Sequence, residues 1–130
     1  CKTLAPTEVY AFEADTGKQQ LRWDGGKNPH IMCAGDLAGM EWRGREGRRP
    51  ACFPGPWSSP TIDSKGAIYV GNMDGNFYVL RDSNNNWRIS PNEVSSLDMS
   101  AAFNGPSTAH APGMMVVASC DGMFVFRTDI

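Results

Sequence analysis

The sequence carries few side chains that could hold a metal ion, and these are widely spaced. His30 and Cys33 lie three residues apart, and Cys52 and His110 are the other candidate ligands. Structural zinc sites are usually built from two close ligand pairs, whereas one loose pair is present here. The spacing therefore favours a turn histidine and ordinary cysteines, and no residue is predicted to bind a metal.

The four cysteines, at positions 1, 33, 52 and 120, include no CxxC pair. A bridge between Cys33 and Cys52 would close a loop rich in glycine and arginine and would contribute about 3 kcal/mol in the chain-entropy description of disulfides. Four cysteines allow three complete pairings and also none. The alternative to a bridge is four reduced thiols, of which Cys120 is the one expected in the core.

The sequence offers no recognisable catalytic constellation. No motif supports a serine nucleophile, a phosphate-binding glycine loop or a pair of catalytic carboxylates. Five aspartates (15, 63, 74, 82 and 121) stand beside Gly, Ser, Thr or Asn, which is typical of turns. No catalytic residue and no cofactor-binding residue is predicted.

Composition narrows the class of protein. The chain has 130 residues, 41% of them apolar and 20% charged, and a net charge of -2. These values are typical of a single globular domain, and the charge gives no reason to expect a nucleic-acid partner. No apolar run approaches the roughly 18 residues that a membrane-spanning helix needs.

The segment 24–57 combines glycine, proline and arginine with tryptophan and is the main candidate for binding a partner. Arginine and tryptophan are enriched in interface hot spots, and glycines would let a loop fit a partner surface. The alternative is a solvated loop without a function. One strand, at 30–35, is plausible within the segment. The residues predicted to bind a partner are Trp42, Arg43, Arg45, Arg48, Arg49 and Trp57.

A pattern of strands and turns occurs twice in the chain. Asp74-Gly75 and Asp121-Gly122 are separated by 47 residues, and Gly66 and Gly113 have the same offset. Each copy reads as a strand, a glycine turn, a strand, an Asp-Gly hairpin and a further strand. The inner strands are nearly continuous apolar runs, which suit strands covered on both faces. A repeat of this length is typical of propeller blades.

A third, partial copy opens the chain as "EVYAFEADTGKQQLRW". Here Gly17 can take the left-handed conformation that a bulged hairpin needs, and Leu21 and Trp23 share one strand face. The sequence predicts antiparallel strands near 8–13, 67–72, 76–81, 114–119 and 123–128. The segment "SPNEVSSL" (90–97) reads as a short helix start, with Ser90 as cap and Glu93 completing a capping box.

The stretches "VYAFEADTGKQQLRW" and "SSPTIDSKGAIYVGNMDGNFYVLRD" resemble the PQQ-like, or quinoprotein-type, β-propeller repeat. The middle copy matches the repeat pattern at nearly every position. The last copy keeps the apolar and Asp-Gly positions but lacks the tyrosines. In the first copy Leu21 stands where the pattern has tryptophan, and Trp23 lies two residues later. The resemblance covers residues 8–23, 58–89 and 106–129.

The resemblance implies an all-β fold, a partial propeller of two to three antiparallel blades in one module, 1–130. Its parts would be a blade remnant (8–23), a loop insertion (24–57), a blade (58–90), a connection (91–105) and a blade (106–130). Dehydrogenases with this repeat hold pyrroloquinoline quinone and calcium at the propeller axis, commonly beside a disulfide of adjacent cysteines. Adjacent cysteines are absent here, and a whole quinone site draws on blades around the complete ring.

The function expected from the resemblance is that of a non-enzymatic scaffold or interaction subunit in a larger complex. Two and a half blades cannot close a ring, so the apolar sheet faces left at both ends would be covered either by further blades of the same protein or by another subunit. The alternative is a fragment of a quinone-dependent alcohol or sugar dehydrogenase, with calcium. The non-enzymatic relatives imply a location outside the cytoplasm or in an organelle lumen, beside a membrane rather than across it, with other protein subunits as partners.

Overall fold

A computed structural model describes residues 5–6, 8–25, 27–28, 44–47, 57–72, 75–103, 105, 108–120 and 122–128. Among these residues the regular structure consists of strands, with one 3-10 turn at Pro91–Glu93 and a short helical turn within 44–47. The strands are β1 (Ala5–Pro6), β2 (Val9–Phe12), β3 (Gln19–Trp23), β4 (Lys27–Asn28), β5 (Thr61–Ile62), β6 (Ile68–Gly71), β7 (Asn76–Leu80), β8 (Val94–Asp98), β9 (Thr108–Ala111), β10 (Met114–Ala118) and β11 (Met123–Arg127).

The five strands predicted from the sequence are confirmed, each to within one residue at either end, as β2, β6, β7, β10 and β11. All strand pairs within the sheets are antiparallel. A four-stranded sheet has the order β5-β6-β7-β8, a three-stranded sheet the order β11-β10-β9, and β2 pairs with β3. A short further pair joins β1 to β4. The all-β prediction is therefore confirmed, and these sheets are open.

The three main sheets stack face to face in chain order. Val9 and Leu21 of the β2–β3 sheet pack against Ile68, Val70 and Leu80 of the four-stranded sheet. On the other side, Phe77 packs with Met115 and Val117 of the three-stranded sheet. The four-stranded sheet is thus covered on both faces, which explains why β6 and β7 are nearly continuous apolar runs rather than alternating ones.

A glycine at the end of β6 allows a close contact between the sheet and a loop. A Cβ built on Gly71 would lie 2.2 Å from Cγ and 2.4 Å from Cβ of Phe103. The Phe103 side chain is fully buried and packs against Phe77 at a ring-centroid distance of 5.7 Å. The small residue at the end of β6 therefore makes room for a phenylalanine ring.

The turn between β2 and β3 forms as the sequence predicts. Gly17 adopts a left-handed conformation with φ of 68°. Its N–H donates to the Glu13 carbonyl at 2.8 Å, and the Lys18 N–H donates to Thr16 Oγ1 at 3.2 Å. In the hairpins β6–β7 and β10–β11, Asp74 and Asp121 lie outside the described residues, but the strand pairing on either side is antiparallel.

The segment 90–97 differs from the short helix expected there. Pro91–Glu93 forms a single 3-10 turn, and β8 begins at Val94. The capping box is present, because the Glu93 carboxylate accepts hydrogen bonds from Ser90 N and Oγ. Pairing of Val94 with Leu80 draws the following residues into the sheet. The helix propensity of the residues after Ser90 is outweighed by pairing with the open edge of β7. The fourth strand therefore lies inside the segment that was expected to connect two blades.

The expectation of reduced thiols is wrong at Cys120, which is half-buried and disulfide-bonded. Its bonded partner lies outside the described residues, as do Cys33 and Cys52, the pair considered from the sequence. A half-buried cysteine after a strand gives the same sequence signal whether it is a thiol or half of a bridge. Only the position of the second sulfur distinguishes these states, since a disulfide needs Cα atoms within about 7 Å.

Candidate interaction surfaces

The outer face of the three-stranded sheet is apolar and uncovered by the described residues. Strand pairing places Val116 beside Val125 and Ala118 beside Met123 on this face, while Met115 and Val117 point to the core. We call this surface the terminal face; it consists of Ala109, Ala111, Met114, Val116, Ala118, Met123 and Val125, with the exposed Arg127 beside Met114 at its edge.

Three large apolar side chains of the terminal face are strongly exposed to solvent. Met123 is 71% exposed, Val125 60% and Met114 45%. On the opposite face of β11, Phe124 and Phe126 are half-buried against the core. The strand is therefore apolar on both faces, as are the strands that this fold buries between two sheets. A large exposed apolar patch of this kind marks an interaction site in soluble proteins.

The other end of the stack has a different character. Tyr10 and Phe12 stack on the outer face of β2 with ring centroids 6.0 Å apart, and both are exposed. Beside them Arg22 forms an ion pair with Glu8, with Nε of Arg22 donating to Oε2 of Glu8 at 3.0 Å. Hydrogen bonds from Arg22 and then from Tyr10 lower the pKa of Glu8. This aromatic and charged face is chemically unlike the terminal face.

Of the six residues predicted to bind a partner, the structure describes two. Arg45 lies on the exposed helical turn within 44–47. Trp57 is half-buried at the end of the insertion and is bridged to Asn72. Trp42, Arg43, Arg48 and Arg49 lie outside the described residues, as do the strand considered at 30–35 and the candidate metal ligand His30. That these six residues contact a partner stays a prediction.

Trp57 belongs to a cluster of three aromatic rings. Its ring centroid lies 5.4 Å from that of Trp23 and 5.5 Å from that of Tyr78, and it packs on the backbone of Gly25. The rings are tilted, which is the favoured arrangement for aromatic pairs. Its indole N–H is buried and has no hydrogen-bond partner in the part of the chain that the structure describes. Trp57 therefore anchors the end of the insertion to the core.

A polar groove separates β3 from the segment that follows β7. Its volume is about 690 Å³, and a parallel bridge between Arg22 and Arg88 connects its two sides. Trp87 is 55% exposed at this groove and has a left-handed backbone with φ of 62°. Amide, guanidinium and indole groups share the lining, which consists of Gln19, Gln20, Arg22, Trp23, Asp24, Trp87, Arg88 and Ile89.

The buried polar residues support the fold. Ser58 accepts a hydrogen bond from Gly71 N on its Oγ at 2.9 Å, and the carbonyl of Asn72 accepts from Phe103 N at 3.4 Å. Glu93 organises the loop after β7, as described below. Among the described residues no three His, Cys, Asp or Glu side chains are grouped so as to hold a metal ion.

His110 lies on β9 rather than in a turn. Its side chain is exposed, with Nε2 3.3 Å from Thr61 Oγ1 and the ring against Tyr69 at 4.6 Å. These contacts join the three-stranded sheet to the four-stranded sheet.

Two carboxylates are held ionised by the turns they organise. Burial raises the pKa of Asp63, but hydrogen bonds from Ala67 N, Lys65 N and Tyr69 Oη outweigh it, so this pKa lies below its ordinary value of 3.8. Hydrogen bonds, chiefly from the Ser90 side chain, lower the pKa of Glu93 from 4.5 to about 2. Both groups stabilise the fold in their charged form.

The sequence predicted apolar sheet faces in need of a cover at both ends of the repeat, but it did not name the residues of the terminal face. Its signal was available, since "MFVFR" at 123–127 carries apolar residues on both strand faces. Such a run indicates a strand buried between two layers, and the second layer is absent from the described residues.

Comparisons with protein-family models, with curated proteins and with solved structures gave no significant match for this chain. Within the described ranges no helix has both the length and the apolar character needed to span a membrane.

Proposed function

We propose that this chain is a non-enzymatic interaction module of the β-propeller type, which serves as a scaffold subunit in a larger protein complex. The observation that supports this proposal best is the terminal face. It carries apolar side chains of the same kind as the two sheet faces that are buried within the stack, and it is exposed.

The two buried interfaces indicate what would cover the terminal face. In both, an antiparallel sheet packs against the apolar face of another sheet. The partner we propose is therefore another protein subunit that presents an apolar sheet face. Covering the exposed parts of Met114, Met123 and Val125 would contribute about 1–2 kcal/mol for each side chain.

The far end of the stack makes association between identical copies a poor match. Tyr10 and Phe12 lie beside the Arg22–Glu8 ion pair, and burying that pair against the apolar terminal face would remove two charges from water. Head-to-tail association of identical copies is therefore a poor match, and the partner we propose is a different subunit.

The test uses the protein isolated with its complex from its source. Val125→Lys places a charge at the centre of the terminal face and is expected to release the subunit from the large assembly in size-exclusion chromatography. Lys18→Glu, in the exposed β2–β3 turn, changes charge elsewhere and is the control. The proposal fails if the Val125 variant is folded and stays in the assembly as the control does.

The insertion offers a second contact in the same proposal. Arg45 is exposed, and an arginine-rich loop would bind an acidic partner surface with a strength that falls with salt. Replacement of Arg45, Arg48 and Arg49 by serine is expected to lower retention in the purified complex at low salt. Unchanged retention at low and high salt would remove the insertion from the contact.

The competing function, a part of a quinone-dependent dehydrogenase, makes a different prediction. Pyrroloquinoline quinone and calcium added to the full-length protein would then produce dye-linked alcohol oxidation. Robust quinone-dependent turnover would overturn the scaffold proposal. A location outside the cytoplasm, at a membrane surface, is part of our proposal. The disulfide at Cys120 supports the first of these two points, because disulfides persist in oxidising compartments.

A further inference from the structure

The polar groove between β3 and the segment after β7 has the size and the lining of a small-ligand site. Its volume of about 690 Å³ lies within the roughly 300–1,000 Å³ that is typical of such sites. Every polar side chain that lines it ends in a planar amide, guanidinium or carboxylate group, which can bind two neighbouring atoms of a ligand at once. These residues are Gln19, Gln20, Arg22, Asp24 and Arg88.

The two sides of the groove are fixed by the packed core. Trp23, at the end of β3, is half-buried with its ring centroid 5.3 Å from that of Tyr78. On the other side Ile89 packs against the buried cluster between the two sheets. The backbone bridge between Arg22 and Arg88 joins the two sides directly. The groove is therefore formed before any ligand arrives, which lowers the ordering cost of binding.

Trp87 is the apolar side chain of this groove that the fold does not bury. It is 55% exposed, and its ring contacts no other aromatic ring among the described residues. Its backbone has a φ of 62°, a conformation that is costly for a bulky residue. Two hydrogen bonds hold the backbone there: Asp82 Oδ2 accepts from Trp87 N at 2.7 Å, and Asn86 Oδ1 accepts from Arg88 N at 2.8 Å. The turn thus presents an exposed indole at the groove, a strained arrangement of the kind that is concentrated at binding sites.

The charges at the groove balance, which favours a neutral ligand. Arg22 is paired with Glu8, and the carboxylate of Asp24 lies on the same side of the groove. Arg88, on the other side, has no ion pair with a described residue. Two guanidinium groups thus stand with two carboxylates. An anion would be attracted by Arg88 but repelled by Asp24, whereas a neutral ligand can use both as hydrogen-bonding groups.

A sugar has the two chemical features that this lining can bind. One face of a pyranose ring carries C–H groups and stacks on an aromatic ring, as the exposed indole allows. Neighbouring hydroxyl groups on the same ring both donate and accept hydrogen bonds, and they match the paired atoms of planar amide, guanidinium and carboxylate groups. The groove combines both features within one volume.

We propose that the polar groove binds a neutral oligosaccharide, with one sugar ring stacked on Trp87 and its hydroxyl groups bound by Gln20, Asp24 and Arg88. The proposal concerns binding and involves no reaction. It is independent of the proposed scaffold function, because the groove lies beside the β2–β3 sheet and the terminal face lies on the three-stranded sheet.

The test is a titration of the full, isotopically labelled chain, followed through the indole N–H resonance of Trp87. The probes are four neutral trisaccharides: maltotriose, cellotriose, mannotriose and triacetylchitotriose. Each is added to about 10 mM, roughly ten times a dissociation constant of 1 mM, which corresponds to weak binding. At least one is expected to shift this resonance in a saturable manner. Absence of a saturable shift with all four overturns the proposal.

Two variants separate binding by the indole from a structural role of this residue. Trp87→Gly removes the ring, and it is expected to unfold thermally at or above the wild-type midpoint because glycine adopts a left-handed backbone without strain. Its affinity for the sugar is expected to fall at least about tenfold, since the stacked apolar area is lost. Leu97→Ala removes another exposed apolar side chain, on β8, and is expected to bind as the wild type does. Equal affinity of the two variants would contradict the assignment.

Arg88→Lys distinguishes recognition of hydroxyl groups from attraction of an anion. Lysine keeps the positive charge but lacks the planar fork, so sugar binding is expected to weaken severalfold. Because the ligand is neutral, its affinity is expected to change less than about twofold between roughly 50 and 500 mM salt. A hexa-aspartate peptide is the anionic probe and is expected to leave the Trp87 resonance unchanged. A saturable shift with this peptide and none with the sugars would make the groove an acidic-peptide site and overturn the proposal.

Discussion

Replacement of Gly71 by alanine tests whether the contact between β6 and Phe103 decides the packing of the stack. In an ordinary strand position the change from glycine to alanine is favourable by about 0.5–1 kcal/mol, because glycine loses more backbone freedom on folding. A loss of stability at this position therefore reports the contact rather than the strand.

The magnitude follows from the geometry. The added Cβ would lie 2.2 Å from Cγ of Phe103, whereas carbon atoms pack at about 3.5–4.0 Å. Phe103 is fully buried, so it cannot turn into solvent without losing its packing against Phe77. Overpacking of this kind costs about 1–3 kcal/mol, and expulsion of the ring would raise the cost to about 3–5 kcal/mol.

Urea unfolding, followed by circular dichroism, measures the effect. We expect Gly71→Ala to lower the free energy of unfolding by about 2–4 kcal/mol. Gly44→Ala is the control, since among the described residues, its chain neighbours aside, no atom lies within 4 Å of the Cβ that would be added there. It is expected to change stability by less than about 0.5 kcal/mol.

A double-mutant cycle identifies the crowding group. Phe103→Ala alone should cost about 3–5 kcal/mol, and adding Gly71→Ala to it should cost much less than Gly71→Ala does in the wild type. If Gly71→Ala is as harmless as Gly44→Ala, or if the two costs simply add, the close approach of Phe103 does not determine this interface.

Three further changes test other contacts. The Ser90 side chain is the chief cause of the low pKa of Glu93, about 2 against 4.5. Ionised Glu93 thus stabilises the fold above pH 4.5, and this contribution is lost as the pH falls towards 2. In urea unfolding, the stability of Glu93→Gln should therefore depend less on pH in that range than the stability of the wild type does. Cys120→Ser removes a disulfide and should lower the free energy of unfolding by about 2–5 kcal/mol; no loss under oxidising conditions would contradict a structural bond. Tyr69→Phe removes the 3.0 Å hydrogen bond to Asp63 and should lower the free energy of unfolding by about 1 kcal/mol. It should also raise the pKa of Asp63, which NMR titration measures. An unchanged pKa would show that the hydroxyl does not stabilise the charged carboxylate.

The repeat in the sequence predicted the strands because their signals are local. Apolar runs separated by glycine turns specify extended segments and hairpins through contacts between near neighbours in the chain. The left-handed Gly17 and the capping box of Ser90 and Glu93 are local in the same sense. Such features follow from the residues themselves, and the structure contains them.

The error at 90–97 shows where local signals fail. Val94–Asp98 has no strong strand pattern, and its residues join the sheet because β7 offers an unpaired edge in register with them. The bonded state of Cys120 was equally beyond the sequence, because it depends on which second sulfur the fold brings near.

The sequence by itself determined the all-β class, the five strands of the repeats and the turn at Gly17, because these depend on residues close in the chain. Only the tertiary structure decided which sheet faces are buried and which are exposed. The apolar runs of β7 and β11 look alike in sequence, yet Phe77 and Leu80 are covered, while Met123 and Val125 of the terminal face lie exposed. Burial depends on which sheets stack against each strand, and that is a property of the assembled fold rather than of the strand.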